Sequence, residues 1–121
     1  MSRYRTPLRY PGGKQRLTPF ILEVLIENEL LGGHYVEPYA GGAGVALELL
    51  LDGRVSHIHL NDSSYPIYAF WKSVVSHSEA LCRRISSASL SVSEWKRQRE
   101  ILRNPNQHDE LDVGFSALFL N

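Results

Sequence analysis

The spacing of apolar residues changes near residue 62. Before that point, two apolar runs of strand length, 35–36 and 55–60, alternate with two segments in which apolar residues recur at helical spacing. After it, every apolar pattern is helical, and no run predicts a strand. The pattern therefore predicts helix, strand, helix, strand in the first half of the chain and helices alone in the second.

The first predicted helix has Thr18 as its N-cap and Pro19 at its first helical position. Its apolar positions continue to Leu31, where Gly32-Gly33 stops them.

The second predicted helix covers residues 43–51, with Gly53 as its C-terminal residue. It lies between the two predicted strands, and the second strand ends at Asn61-Asp62. Strand, glycine turn, helix, strand and acid follow each other as in the opening unit of a doubly wound α/β domain.

Three helices are predicted after this unit. The first covers 66–75, the second runs from a capping box at Ser91 and Glu94 to Arg103, and the third covers 110–120. We divide the chain accordingly into an α/β part, residues 1–65, and a helical part, residues 66–121.

Composition narrows the class of protein. The 13 basic and 13 acidic side chains give a formal net charge of zero, so no overall field attracts nucleic acid or a membrane. With Cys82 as its one cysteine, the chain can form neither an internal disulfide nor a cysteine-based metal site. The N-terminus lacks the apolar run of a signal peptide, and no stretch has the length of a membrane span. We expect a soluble cytoplasmic protein without a metal or a membrane partner.

The segment 36–45 is an acidic, glycine-rich turn whose backbone can approach a nucleotide-like ligand closely. It has neither the full dinucleotide-binding glycine spacing nor the lysine of a phosphate-binding loop. It begins with Glu37, and a carboxylate there suits a ligand with a cationic centre.

Two further residues suit the same ligand. Asp62 follows the turn by about twenty residues, where an acid can accept both hydroxyls of a ribose. Lys14, in a Pro-Gly-Gly turn, can hold a ligand carboxylate. The alternatives are that Asp62 caps the next helix and that Lys14 is merely exposed.

Together these residues resemble a known family. Arg9-Tyr10-Pro11-Gly12-Gly13-Lys14, then Glu37-Pro38-Tyr39-Ala40-Gly41-Gly42, then Asn61-Asp62 are similar in order and spacing to the first three motifs of Dam-type adenine-specific DNA methyltransferases. The final segment, 115–121, is similar to the start of a further family segment. The resemblance implies a partial Rossmann-like methyltransferase fold in residues 1–65, with S-adenosylmethionine as methyl donor. It implies a helical DNA-recognition module, cut short at its end, in residues 66–121.

The resemblance also implies roles for individual residues. Asp62 would bind the ribose, and Ser63 would lie beside the adenine of the cofactor. The other implied cofactor-binding residues are Tyr10, Lys14, Glu37, Pro38, Tyr39, Ala40, Gly41 and Gly42. In the helical part, six basic residues would contact phosphates of double-stranded DNA, although such a group is often only a solvated face: Arg83, Arg84, Lys96, Arg97, Arg99 and Arg103.

The family's catalytic motif, Asp/Asn-Pro-Pro-Tyr/Phe, is missing, because no two of the six prolines are adjacent. In the family this motif accepts the N6 hydrogens of a flipped adenine and stacks on the base. We therefore assign no catalytic residue. We expect the sequence to be the N-terminal part of a methyltransferase of restriction–modification, phage or solitary type, and to be inactive alone. The alternatives are a fragment of an NAD-dependent oxidoreductase and a non-enzymatic nucleic-acid-binding remnant.

Overall fold

The computed structural model describes residues 5–9 and 13–121. The chain divides into two compact units, Met1–Asn61 and Asp62–Asn121, called unit 1 and unit 2 below. Unit 1 is mixed α/β, and unit 2 is helical. The mixed α/β class expected from the sequence is thus confirmed at this coarse level.

Unit 1 contains a two-stranded parallel sheet. Strand β1 is His34–Glu37 and strand β2 is His57–Leu60, and the register places His34 opposite His57 and Glu37 opposite Leu60. The two strands are joined through a helix, because parallel neighbours require a crossover connection. Both strands and their order along the chain were predicted, although β2 begins two residues later than expected.

Helix α1, Thr18–Glu27, differs from its prediction at both ends. Its N-cap is Leu17, and Thr18 is instead the first helical residue. The helix ends four residues before Leu31 because Glu29 adopts a left-handed conformation, with φ of 57°. A Schellman pair of hydrogen bonds, Glu29 N to Ile26 O and Leu30 N to Leu25 O, closes the last turn.

Helix α2, Gly44–Leu51, ends as its sequence predicts. Gly53 has φ of 69°, and the amide of Arg54 donates to the carbonyl of Leu49 at 2.8 Å. This is again a Schellman ending, here with the glycine that normally marks it.

The core of unit 1 lies between the sheet and its two helices. Val45, Leu49 and Val55 are almost completely buried. Partly buried apolar residues from α1, α2 and both strands surround them, namely Ile21, Leu22, Leu25, Tyr35, Leu50 and Ile58. The alternation along β1 therefore turns Tyr35 and Glu37 inward and leaves His34 and Val36 exposed.

Unit 2, all of whose residues the structure describes, contains four α-helices and no strand. They are α3 Tyr65–Ser76, α4 Ser78–Ser87, α5 Val92–Arg103 and α6 Glu110–Phe119. Helices α3, α5 and α6 were predicted within one residue at each end, and Ser91 is the N-cap of α5 as its capping-box pattern predicted. The sequence pattern did not predict α4, whose one buried residue, Leu81, makes a weak apolar signal.

Helices α3 and α6 cross closely at Gly114. A Cβ atom at Gly114 would lie 2.7 Å from the carbonyl oxygen of Ala69 and 2.9 Å from Ser73 Oγ. The absence of a side chain therefore lets the two helices approach. Phe70 and Val113 are buried beside this crossing.

Candidate functional site

The glycine loop, residues 38–43, follows the carboxyl end of β1 and leads into α2. Gly41 and Ala43 both have left-handed backbone conformations, with φ of 51° and 52°. Glycine adopts this conformation freely, whereas alanine pays about 1–2 kcal/mol for it. The residues from Ala40 to Ala43 are buried. The loop is therefore a fixed, closely packed turn.

Glu37 is the last residue of β1, and its side chain is only 3 % exposed. One carboxylate oxygen, Oε1, accepts a hydrogen bond of 3.1 Å from the amide of Ala46, the third residue of α2. The first amides of a helix have no partner within the helix, and Ala43 at the N-cap has no side-chain acceptor to offer. Glu37 supplies that acceptor from the preceding strand.

The second oxygen of Glu37, Oε2, is buried and has no hydrogen-bond partner among the residues that the structure describes. Burial raises the pKa of the Glu37 carboxyl, while the nearby Lys14 ammonium, then the Ala46 amide and then the Tyr35 hydroxyl oppose that rise. Tyr35 lies two residues earlier on the same face of β1, where its hydroxyl is near the Glu37 carboxylate. Its burial, then the Glu37 charge and then the interaction of its hydroxyl with the Glu37 carboxylate raise the pKa of Tyr35 to about 12. An acceptor of this kind favours a positively charged ligand group.

Lys14 lies against the loop. Its Nζ donates a hydrogen bond of 3.0 Å to the carbonyl of Tyr39, whose side chain is exposed. The structure thus brings together Lys14 and the loop, which the sequence had only placed in separate motifs. Tyr10, the other candidate in that arm, lies outside the described residues.

Asn61, directly after β2, makes three hydrogen bonds to the loop and the end of β1. Its amide donates to the carbonyl of Glu37 at 3.0 Å, and its carbonyl accepts from the amide of Ala40 at 2.8 Å. Its side-chain Nδ2 donates to the carbonyl of Pro38 at 3.3 Å. Sequence reasoning quoted Asn61 as part of a motif but gave it no role.

The start of α2 packs against the residue after Lys14. A Cβ atom at Gly44 would lie 3.0 Å from Gln15 Cβ, so the glycine allows this close approach. Gln15 opens a single 3-10 turn, Gln15–Leu17, that leads into α1. Gly44 thus has a packing role in addition to its place in the glycine-rich motif.

Asp62 is the first residue of unit 2 and is partly buried. Its Oδ1 accepts a hydrogen bond of 2.9 Å from the amide of Ser64, the residue that precedes α3. This Asx turn directs the chain into α3. The alternative that Asp62 prepares the next helix therefore has a geometric basis, while Ser63 is exposed.

Two of the six candidate basic residues lie on α4. Arg84 forms an ion pair with Asp112, and its guanidinium lies over the ring of Phe115, 4.8 Å from the centroid. Both contacts hold α4 to α6. Arg83 is exposed and lies 4.0 Å from Glu79 on its own helix, so it has only a weak partner.

The other four lie on α5. Arg97 and Arg103 pair with acids three residues earlier, at 2.8 Å and 2.7 Å. Lys96, Arg99 and Arg103 are spaced at i, i+3 and i+7 and share one helix face. The guanidinium of Arg99 lies 5.3 Å from the ring centroid of Trp95, which is itself exposed.

Three histidines share the exposed face of the sheet. His34 Nδ1 and His59 Nε2 are 2.9 Å apart, and the rings of His34 and His57 stack at 4.5 Å. In the described part of the chain, no group of three or more histidine, cysteine or acidic side chains has the arrangement of a metal site. Within the same residues, no helix combines the length and the apolar character needed to span a bilayer.

Comparisons with known proteins add to this geometry. Residues 10–109 match the model of the family described as D12 class N6 adenine-specific DNA methyltransferase. No curated protein and no solved structure matches the chain. The family match covers the arm at Lys14, the glycine loop, Asp62 and helices α3 to α5. The chain belongs to the D12 class of N6 adenine-specific DNA methyltransferases.

Proposed function

We propose that the chain binds S-adenosylmethionine at the glycine loop and is the cofactor-binding part of an enzyme that methylates N6 of adenine in double-stranded DNA. The observation that carries this proposal is the buried carboxylate of Glu37. One of its oxygens caps α2, and the other has no partner among the described residues.

The residues present fit this cofactor. S-adenosylmethionine carries a sulfonium and an ammonium, and it supplies an activated methyl group when bound. A buried acceptor with a raised pKa at the loop is costly by itself, and a cationic ligand group would offset that cost. A phosphate-bearing ligand would instead meet a negative charge at Glu37.

The proposed contacts follow the residues named from the sequence. Glu37 and the glycine loop would surround the methionine portion of the cofactor, with Tyr10 and Lys14 on the methionine and adenine side. Asp62 would accept the ribose hydroxyls, and Ser63 would lie beside the adenine. We propose a Rossmann-like arrangement on the strength of the family and of the β1–α2–β2 order.

Calorimetry on the full 121-residue chain tests the cofactor. We expect S-adenosylmethionine to bind and NAD⁺ to give no heat, because the loop lacks dinucleotide spacing and begins with an acid. Binding of NAD⁺ without S-adenosylmethionine would contradict the proposal, as would binding of neither.

The Asp62→Ala variant tests the ribose contact. Losing charge-assisted hydrogen bonds should weaken S-adenosylmethionine binding by about 1–3 kcal/mol. Asp52→Ala is the matched control, because Asp52 is an acid of unit 1 that pairs with Arg5 away from the loop. Equal affinity for Asp62→Ala and wild type would remove Asp62 from the site.

We further propose that unit 2 contacts DNA phosphates through Lys96 and Arg99 on α5, with Arg97 and Arg103 on α5 and Arg83 on α4 as weaker contributors. Lys96 and Arg99 are exposed, whereas Arg97 and Arg103 are each paired with a neighbouring acid. Arg84 suits this role least, because its ion pair with Asp112 and its contact with Phe115 hold it within unit 2.

Fluorescence anisotropy with a labelled duplex tests this surface. Lys96→Ala and Arg99→Ala should each weaken DNA binding and reduce the steepness of its salt dependence by about one counterion. Lys72→Ala is the control, as an exposed lysine on α3. Variants that match the wild type in affinity and salt dependence would show that the basic face of α5 is only solvated.

A further inference from the structure

We infer that Asn61 is a positioning residue that fixes the glycine loop in its ligand-binding shape before a ligand arrives. This inference rests on the proposed function for the identity of the ligand. It rests on unit 1 alone for its geometry, since Asn61 and the loop belong to the same unit.

The backbone of Asn61 makes two bonds that any residue could make. Its amide extends the β1–β2 ladder to the carbonyl of Glu37, and its carbonyl accepts from the amide of Ala40. These bonds draw both ends of the segment 37–40 toward the end of β2. They leave the peptide between Pro38 and Tyr39 to be fixed by other groups.

At Pro38, the hydrogen bond that fixes the loop comes from the side chain of Asn61 and not from its backbone. Proline has no amide hydrogen, so only its carbonyl can anchor that residue by a hydrogen bond. Asn61 Nδ2 donates to this carbonyl at 3.3 Å. Alanine or aspartate at position 61 would keep both backbone bonds and lose this one, because neither side chain carries an amide donor.

The hydrogen bond from Asn61 Nδ2 to Pro38 is one of four that hold successive carbonyls of residues 37–40. The carbonyl of Glu37 accepts from the Asn61 amide, that of Pro38 from Asn61 Nδ2, that of Tyr39 from Lys14 Nζ, and that of Ala40 from the Ala43 amide. Four successive carbonyls are thus held, two of them by side chains from distant segments. A loop held in this way loses little further conformational entropy on binding, which is the physical basis of preorganisation.

Amide exchange and calorimetry on the full chain test the role of Asn61. Asn61→Ala should speed exchange at the Ala40 and Ala43 amides about fivefold in the ligand-free protein, with the amides of α2 unchanged. It should also raise the Kd for S-adenosylmethionine about fivefold. Asn28→Ala is the matched control, since Asn28 Nδ2 donates to the Val24 carbonyl at 2.7 Å in the same unit but away from the loop.

Asn61→Asp provides the second variant, because it keeps the size of the side chain and replaces the donor with an acceptor. It should change exchange and affinity in the same direction as alanine. Unchanged loop exchange in both variants would overturn the inference, and so would loss of folding in both, since Asn61 would then serve the whole fold. If the wild type fails to bind S-adenosylmethionine, the proposed function fails, while the exchange comparison still decides the role of Asn61.

Discussion

At the scale of single residues, the carboxylate of Glu37 has two oxygens in different situations. Its Oε1 stabilises the first turn of α2, and its Oε2 is buried without a hydrogen bond among the described residues, with the Lys14 ammonium and the Tyr35 hydroxyl as its neighbours. An unsatisfied buried acceptor costs about 1–3 kcal/mol. Such a cost at a glycine loop is typical of a site where binding, rather than folding, uses the group.

Replacing Glu37 by glutamine separates the hydrogen bond to α2 from the effect of the buried negative charge. Burial raises the pKa of Glu37 in the folded chain, so the folded state holds the proton more readily than the unfolded state. The free energy of unfolding therefore falls as pH rises through the interval above the ordinary glutamate pKa, and it stays lower at pH 7. Glu37→Gln keeps an acceptor for the Ala46 amide and removes the charge. We expect it to be more stable than wild type at pH 7 and to bind S-adenosylmethionine more weakly.

Urea unfolding followed by circular dichroism across a pH series measures the effect. The stability difference between Glu37→Gln and wild type should vanish below the ordinary pKa of glutamate, where the wild-type carboxyl is protonated. Glu23→Gln, at an exposed position of α1, should match the wild type throughout. A glutamine variant less stable than wild type at pH 7 would show that the charge of Glu37 stabilises the fold.

At the scale of elements, helix ends and helix crossings depend on single positions. The N-cap of helix α5 is Ser91, whose Oγ accepts from the Glu94 amide at 3.2 Å, as a capping box requires. Glu94 does not complete the box, because its carboxylate accepts from Arg97 and Gln98 instead. The hydrogen bond from Arg97, and then that from Gln98, lower the pKa of Glu94.

The α3–α6 crossing yields a sharper prediction. Gly114→Ala should lower the free energy of unfolding by about 1–3 kcal/mol, because the new Cβ meets the backbone of Ala69. Ser73→Ala in addition should not restore stability, since the atom nearest to the new Cβ is the Ala69 carbonyl oxygen at 2.7 Å, which that substitution leaves in place. Thermal or urea unfolding of the single and double variants decides the matter. Recovery in the double variant would place the clash at Ser73.

At the scale of the whole molecule, the family match runs through both units, from residue 10 to residue 109. The proposed cofactor contacts in residues 37–42 lie in unit 1, and the proposed DNA contacts lie in unit 2. The 121 residues contain no adjacent prolines, and so they lack the family's Asp/Asn-Pro-Pro-Tyr/Phe sequence.

We therefore expect the purified 121-residue chain to bind S-adenosylmethionine without transferring its methyl group. A tritiated methyl donor and adenine-containing duplex DNA measure transfer directly. Label retained by the protein in a filter assay, with none in the DNA, is the expected result. Label in the N6 position of adenine would show that residues other than that motif can orient the amino group.

The sequence alone determined the order of the elements and the motifs. Among the residues that the structure describes, periodicity identified both strands and five of the six α-helices, because each has an apolar face of the right spacing. Glycine at position 53 correctly marked the end of α2. It could not mark the end of α1, because the left-handed residue there is Glu29, and a side chain of that type carries no signal of its backbone conformation.

Only the tertiary structure decided what the motif residues touch. Spacing along the chain cannot show that Lys14 binds the Tyr39 carbonyl, that Asn61 holds Pro38, or that Arg84 pairs with Asp112. These contacts join residues 23 or more positions apart, and they exist because the parallel strands and the packed helices bring distant segments together. The sequence thus named the residues proposed for the candidate site, and the fold determined which of them contact the loop and which remain exposed.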